Sequence, residues 1–422
     1  SSMNKMSDKP LRILMPSYRS HPFTGGQGIY MRLVTKAMVE LGHTVEVISG
    51  QPYPILDEGV KLTKLPSLDL YSYDSPLKAF KFKLLKEPID LYEWLSHLSG
   101  GFSEPYTFGE RMAVWGRKNY NRFDVVHDNQ TLAYGLIKLR DMGVPVVGTI
   151  HHPITMDKRI DIKHAETLSL KLLKWRWYSF LKMQIKVARQ LDPIIVVSEN
   201  TRKDVVKDFK IDPKKTRKVL HGIDHKTFEP IPSIKRKKNQ LITTASADVP
   251  LKGLIYLIRA YSDLLNDFPD LSLIVIGKLR DGPTSKELDK KGIKDKVKFI
   301  SDLTSRQIAE LYAESTIAVS PSVYEGFGFP AGEAMSCGIP LISTNGGSLP
   351  EVVGESGIIV PHSNPDELQK AIKELLLSPE KRKELGEKGR NRVLEKFTWK
   401  RAAKELVDVY REAISNADNR SK

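Results

Sequence analysis

The stretch Ser320–Pro361, SPSVYEGFGFPAGEAMSCGIPLISTNGGSLPEVVGESGIIVP, decides how this 422-residue chain is read. The apolar run Ile317–Ser320 that leads into it reads as a strand, and Pro321–Gly328 as a loop. Pro330 suits the first turn of a helix, Gly338 ends that helix, and Pro340–Ser343 reads as the next buried strand. A strand–loop–helix–strand unit of this kind collects free backbone N–H groups and the positive end of a helix at one spot, which favours a phosphate. Two carboxylates flank that spot: Glu325 in the loop, and Glu333 in the first turns of the helix. Carboxylates accept hydrogen bonds from vicinal hydroxyls, so the pair suggests a sugar on one side of the phosphate and a ribose on the other. The loop Asn345–Ser348, after the second strand, is expected to close over the same spot. The bland alternative is a Rossmann-type connection whose glycines serve only tight packing.

Upstream, the same half opens with a strand at 241–245, then Lys252-Gly253 and a helix over 254–265. Strands follow at 271–276, ending at Gly277, and at 297–300, ending at Ile300 and followed by Ser301. Downstream come amphipathic helices at 368–376, 379–395 and 398–414. Proline- and lysine-rich residues 230–240 read as a linker. The amino-terminal half shows the same habit: strands at 11–15, 45–48, 124–127 and 145–150, with a helix over 27–41. Ligands of open parallel sheets gather beyond the carboxyl ends of the strands. His151 and His152 therefore stand where chemistry is expected, and Asp128-Asn129-Gln130 follows the carboxyl end of another strand. The run Gly25-Gly26-Gln27-Gly28 lacks the spacing of a dinucleotide fingerprint. Residues 51–123 read as irregular, apart from short segments at 77–86 and 91–98. Residues 163–191 read as one long basic helix carrying Trp175, Trp177, Tyr178 and Phe180.

The formal net charge of +15 implies an acidic partner: nucleic acid, anionic lipid or phosphorylated substrate. No zinc-finger, KH-type or RNP-type signature is present. A single cysteine, Cys337, excludes an internal disulfide and a cysteine-based metal cluster. No apolar run is long enough to span a bilayer and no leader is read, so a cytoplasmic location is expected.

The pattern Glu325-Gly326-Phe327-Gly328, the spacing to Glu333, Ala334-Met335-x-x-Gly338-x-Pro340 and Gly346-Gly347-x-x-Pro350-Glu351 resembles the donor-binding core of retaining glycosyltransferases of family four. The resemblance implies the GT-B fold: two Rossmann-like doubly wound domains facing a central cleft, with a closing helix that crosses back. The expected domains are 1–222 for the acceptor, 223–397 for the nucleotide-sugar donor, and 398–422 as the returning helix. By resemblance Glu325 contacts the donor sugar and Glu333 the nucleotide ribose. Gly326, Phe327, Gly328 and Phe329 line the same site. Thr149-Ile150-His151 resembles the family's Thr-x-His, whose histidine contacts the transferred sugar, and Lys252 resembles its diphosphate-binding lysine. Gly25 and Gly26 are expected to face the donor's phosphate, and Ser246, Gly277, Ile300 and Ser301 to help hold the nucleotide. Gln27, Asn129 and His152 are acceptor candidates. The family's arginine five or six positions before that lysine is missing, and Arg280, Arg306, Ser246 or backbone amides are the candidates to replace it.

No Asp-x-Asp pair is present, so no metal cofactor is expected. The function read here is metal-independent, retaining transfer of a sugar from a UDP- or GDP-sugar to a hydroxyl of a sugar, glycan or glycolipid. The basic, aromatic segments 77–86 and 168–191 suggest a lipid-linked acceptor and a peripheral site on the inner face of an anionic membrane. A GT-B nucleotide-sugar 2-epimerase is the alternative enzyme. A basic nucleic-acid-binding protein is the alternative of another class, and it leaves Glu325 and Glu333 without a role.

Overall fold

The computed structural model describes residues 9–22, 26–245 and 249–420. The chain forms two compact units: residues 1–197, 201–219 and 402–422 in one, residues 198–200 and 220–401 in the other.

The first unit is built on a seven-stranded sheet of β1 (Arg12–Ser17), β2 (Thr44–Ser49), β3 (Lys61–Lys64), β4 (Val125–Asn129), β5 (Val146–Ile150), β6 (Ile194–Val196) and β7 (Thr216–Lys218). Its order is β3-β2-β1-β4-β5-β6-β7, and every pairing is parallel. The second unit holds β8 (Gln240–Thr244), β9 (Ser272–Ile276), β10 (Val297–Ile300), β11 (Ile317–Ser320), β12 (Leu341–Thr344) and β13 (Ile358–Val360). Its order is β10-β9-β8-β11-β12-β13, again parallel throughout. Strand order therefore reverses between β1 and β4 in one unit and between β8 and β11 in the other. At such switch points the loops leave in opposite directions and open a crevice beyond the carboxyl edge.

The central strands are apolar because helices cover both faces. Leu14, Ile48, Val126, Ile150 and Val196 pack into one core, and Leu241, Val275, Ile317 and Ile342 into the other. The last helix, Trp399–Arg420, opens in the second unit and belongs to the first from Ala402 onward. Within the first unit its Tyr410 hydroxyl meets the ring of His127, and its Glu412 pairs with Arg217.

Two segments differ from the sequence reading. Residues 51–123 are not irregular: they hold β3 and the helices Pro88–Leu98 and Glu104–Asn119. Gly109 and Gly116 interrupt the apolar period of the second helix, and both serve close packing. A Cβ on Gly109 would sit 2.5 Å from the Ala133 Cβ, and one on Gly116 2.3 Å from the Leu139 Cδ2. The expected single helix over 163–191 is broken: it holds only the last two residues of the helix Ile154–His164, then a second helix Leu168–Trp177 and a third Leu181–Gln190. Thr167 caps the second piece by accepting the Leu170 N–H at 3.2 Å. A single 3-10 turn at Tyr178–Phe180 separates it from the third.

Candidate active site

In the second unit, Lys252 ends a short 3-10 turn, Pro250–Lys252, beyond the carboxyl end of β8. Gly253 follows with φ +65°, and a Cβ there would stand 2.1 Å from the Pro321 carbonyl oxygen. Glycine thus lets the lysine segment lie directly on the loop that leaves β11, where Val323 N–H donates to the Leu251 carbonyl at 2.8 Å. The two strands flanking the switch point consequently bring their loops together. Lys252 Nζ lies 2.9 Å from Glu325 Oε1, which also accepts from Ser322 Oγ at 2.8 Å. The carboxylate is mostly buried and the lysine partly exposed, so the pair is a fixed, charge-assisted contact with one open side.

The loop at 345–348 packs under Glu325. Ser348 N–H donates to the Glu325 carbonyl at 2.9 Å, and Ser348 Oγ donates to the Gly326 carbonyl. Gly328, with φ +104°, opens the helix Phe329–Ser336. The Phe327 and Phe329 rings turn into an aromatic cluster with His221, 5.2 and 5.1 Å between centroids. Glu333 is half-buried, and among the described residues no protein group hydrogen-bonds its carboxyl. Burial pushes its pKa up to about 8, and the nearby Asp224 carboxylate adds to the effect.

Gly277 and Ile300 close the carboxyl ends of β9 and β10, joined by the Gly277 N–H to Ile300 carbonyl bond of 2.8 Å. Ser301 Oγ donates to Asp302 at 3.3 Å. Of the substitutes for the missing arginine, Arg306 pairs with Glu229 and Glu310, both at 3.6 Å. Arg280 is exposed. Ser246, like Gly25 of the first unit, lies outside the described residues.

In the first unit, the end of β5 delivers His151 and the end of β4 delivers Asn129. The His151 Nε2 and Asn129 Oδ1 are hydrogen-bonded, and His151 N–H donates to Gln130 Oε1 at 2.7 Å. Tyr30 presses edge-on against the imidazole, 4.6 Å between centroids. Burial lowers the His151 pKa to about 4, so at neutral pH the ring is uncharged. Behind it, His127 Nε2 meets Thr149 Oγ1 at 2.5 Å, and burial drives the His127 pKa down to about 3. His152 is turned toward Asp157, 2.7 Å away. Gln27 is the first residue of the helix Gln27–Glu40, half-buried at its amino end.

Sequence reasoning did not single out Tyr30, His127, Ser322 or Tyr410. His127 carried a signal, being polar within the buried strand Val125–Asn129. Tyr30 and Tyr410 look like ordinary amphipathic-helix residues, and only the fold shows what they touch.

Two parallel-sheet units of matched strand order, each with polar side chains collected beyond a carboxyl edge, are the architecture of the GT-B fold. Models described as Glycosyltransferase Family 4 and Glycosyl transferases group 1 match residues 24–227 and 226–392. The chain is 43% identical to the MMP alpha-(1->4)-mannosyltransferase of Mycolicibacterium hassiacum, over 96% of this chain and 99% of that one. Among solved structures, sucrose-phosphate synthase from Thermosynechococcus elongatus aligns with a TM-score of 0.72 at 20% identity, over 96% of this chain and 100% of that one. HepE of Anabaena in complex with UDP and glucose aligns at 0.69 and 15%, over 95% and 100%. The chain belongs to glycosyltransferase family 4, and it is a glycosyltransferase.

Proposed function

We propose that this enzyme moves a mannosyl group from a nucleoside-diphosphate mannose to a hydroxyl of a mannose-containing acceptor, with retention and without a metal. The observation that carries the sugar is the end-to-end similarity to an alpha-(1->4)-mannosyltransferase. The geometry that supports the donor site is the Lys252–Glu325 pair beside the loop that opens the helix bearing Glu333. The family resemblance supports retention, and the crystallised complex of HepE with UDP and glucose supports a nucleotide-linked donor.

The step breaks the bond between C1 of the sugar and the phosphate oxygen, and forms one from C1 to the acceptor oxygen on the same face. The acceptor's proton passes to the leaving phosphate. Lys252 and backbone N–H groups offset the charge growing on the diphosphate, which is where preorganised donors act most strongly. Glu325, held by Lys252 and Ser322, accepts hydrogen bonds from the sugar hydroxyls. Glu333 accepts from the ribose. The uncharged His151, positioned by Asn129 and Tyr30, contacts the transferred sugar.

The test is turnover with GDP-mannose, UDP-glucose and other donors, with and without alpha-linked mannosides. Nucleotide release that needs an acceptor, and an alpha product by NMR, support the reading. Donor turnover without acceptor would favour the 2-epimerase, and a beta product would overturn retention.

A second reading concerns the place of work. In the first unit, Leu168, Leu172, Leu173 and Trp175 of one helix are exposed, as are Leu77, Phe82 and Leu85 of the 76–86 segment. Lysines intersperse both. These residues support contact with an anionic membrane and a lipid-linked acceptor. By contrast, Trp177 stacks on Phe102, 4.8 Å between centroids, and Tyr178 is buried.

A further inference from the structure

At the amino edge of the second unit's sheet, away from the loops just described, lies an open cavity of about 550 Å³. Thr316 and Pro340, which precede β11 and β12, mark that edge. Four cations line it, Arg236, Arg382, Lys383 and Arg390, against one carboxylate, Glu387.

The arginines are fixed but not neutralised. Arg236 Nη1 donates to the Tyr312 and Ser315 carbonyls at 2.9 and 2.6 Å. Arg382 Nη1 donates to the Leu375 and Leu376 carbonyls at 2.7 and 2.9 Å. Arg390 Nη1 donates to the His225, Phe228 and Ser336 carbonyls at 2.8 to 3.1 Å. Carbonyls orient a guanidinium without cancelling its charge, and among the described residues none of the three arginines forms an ion pair within 4.0 Å, although the Glu229 carboxylate acts on Arg390 from farther away. Burial lowers the pKa of both Arg382 and Arg390, the mark of charge held partly out of water. Arg382 and Lys383 also sit in the first turns of the 18-residue helix Pro379–Lys396. There the helix dipole is itself positive and disfavours cations. Each of these features costs stability alone, and an anion in the cavity would offset each of them.

We propose that this cavity binds the phosphate group of a small phosphorylated molecule, separately from the donor site. Planar guanidinium groups match phosphate oxygens in pairs. The volume falls within the range of small-molecule sites and exceeds what one inorganic phosphate fills.

Titration calorimetry of the full chain in phosphate-free buffer tests this with inorganic phosphate, mannose 1-phosphate and mannose 6-phosphate, and with mannose as the neutral control. Saturable binding of a phosphate probe, and none of mannose, is expected. Lys383→Glu and Arg382→Gln should each weaken it tenfold or more, while Lys252→Ala leaves it unchanged. Lys383 is exposed, so its variant keeps the fold even if Arg382→Gln does not. Esters binding more tightly than inorganic phosphate assign the rest of the cavity to the organic part, and equal binding assigns free phosphate as the occupant. The proposal is overturned if no phosphate probe saturates, or if binding survives Lys383→Glu and disappears in Lys252→Ala.

Discussion

Glu325 and Glu333 lie on one loop–helix segment, yet their surroundings separate their chemistry. Glu325 is held by Lys252 Nζ at 2.9 Å and by Ser322 Oγ at 2.8 Å. Glu325→Gln keeps the shape but replaces an acceptor with a donor toward Lys252. Turnover should fall by roughly 10²-fold or more, as for loss of one preorganised polar group, with the melting temperature little changed. Near-normal turnover in the folded variant removes Glu325 from the site. Glu333 is raised to about 8 by burial, so at pH 7 it carries a proton that the proposed ribose contact would require it to give up. Nucleotide binding should therefore release close to one proton near pH 7, and affinity should rise with pH until about 8. Calorimetry in buffers of different ionisation enthalpy reads this, and Glu333→Gln should abolish the release. The same shift has a stability consequence of definite sign. A carboxyl whose folded pKa lies above its unfolded value contributes stability that is complete below the unfolded value, near 4.5. That contribution is lost as pH rises through about 8.

At the scale of elements, helix Glu104–Asn119 shows how glycine can mislead a sequence reader. Its glycines cost helix propensity of about 1 kcal/mol each relative to alanine, which hides the element. They are there because the helix Tyr134–Asp141 crosses at backbone contact: a Cβ on Gly135 would stand 1.9 Å from the Gly109 carbonyl oxygen. Gly135→Ala gains propensity but must push two helices apart, and overpacking costs about 1–3 kcal/mol or more. A net fall in melting temperature is expected, and a rise would show that the helices separate freely. Strands β1, β2, β4, β5 and β8 to β12 were legible because each is a short apolar run ended by Gly, Pro or a polar cluster, so period and punctuation agree, whereas β3, Lys-Leu-Thr-Lys, has no such run. The pairing of Lys252 with Glu325 was not legible, since 73 residues separate them and only strand order makes β8 and β11 neighbours. Nor was the break of the 163–191 segment, where Ala165 and Glu166 are ordinary helix formers. There the cap on Thr167 decides, together with the inward turn of Trp177 onto Phe102.

At the scale of the whole molecule, the excess positive charge is unevenly used. Most of the described exposed large apolar side chains lie in the first unit, on the helices Pro88–Leu98 and Leu168–Trp177 and the short 76–86 segment. Arg176 joins the second helix to Ser96 of the first and to Ser99 just beyond its end, at 3.3 and 3.0 Å. Lys171 and Lys174 stand among the exposed leucines of the second helix, and Lys78, Lys81, Lys83 and Lys86 among those of the short segment. No described helix is long and apolar enough to cross a membrane, so the proposed contact through this face would be interfacial. Each Lys or Arg near an anionic surface adds about 1 kcal/mol, and the exposed leucines add apolar burial. Sedimentation with vesicles containing anionic lipid should carry the protein down at low salt and release it as salt rises. Vesicles of neutral lipid should bind it weakly. Leu172→Glu with Trp175→Glu should abolish sedimentation while leaving turnover on a soluble mannoside intact, because neither side chain lies beyond a strand's carboxyl end. Wild-type protein that stays in the supernatant at low salt with anionic vesicles would refute the membrane reading. Its leucines would then need a protein partner instead.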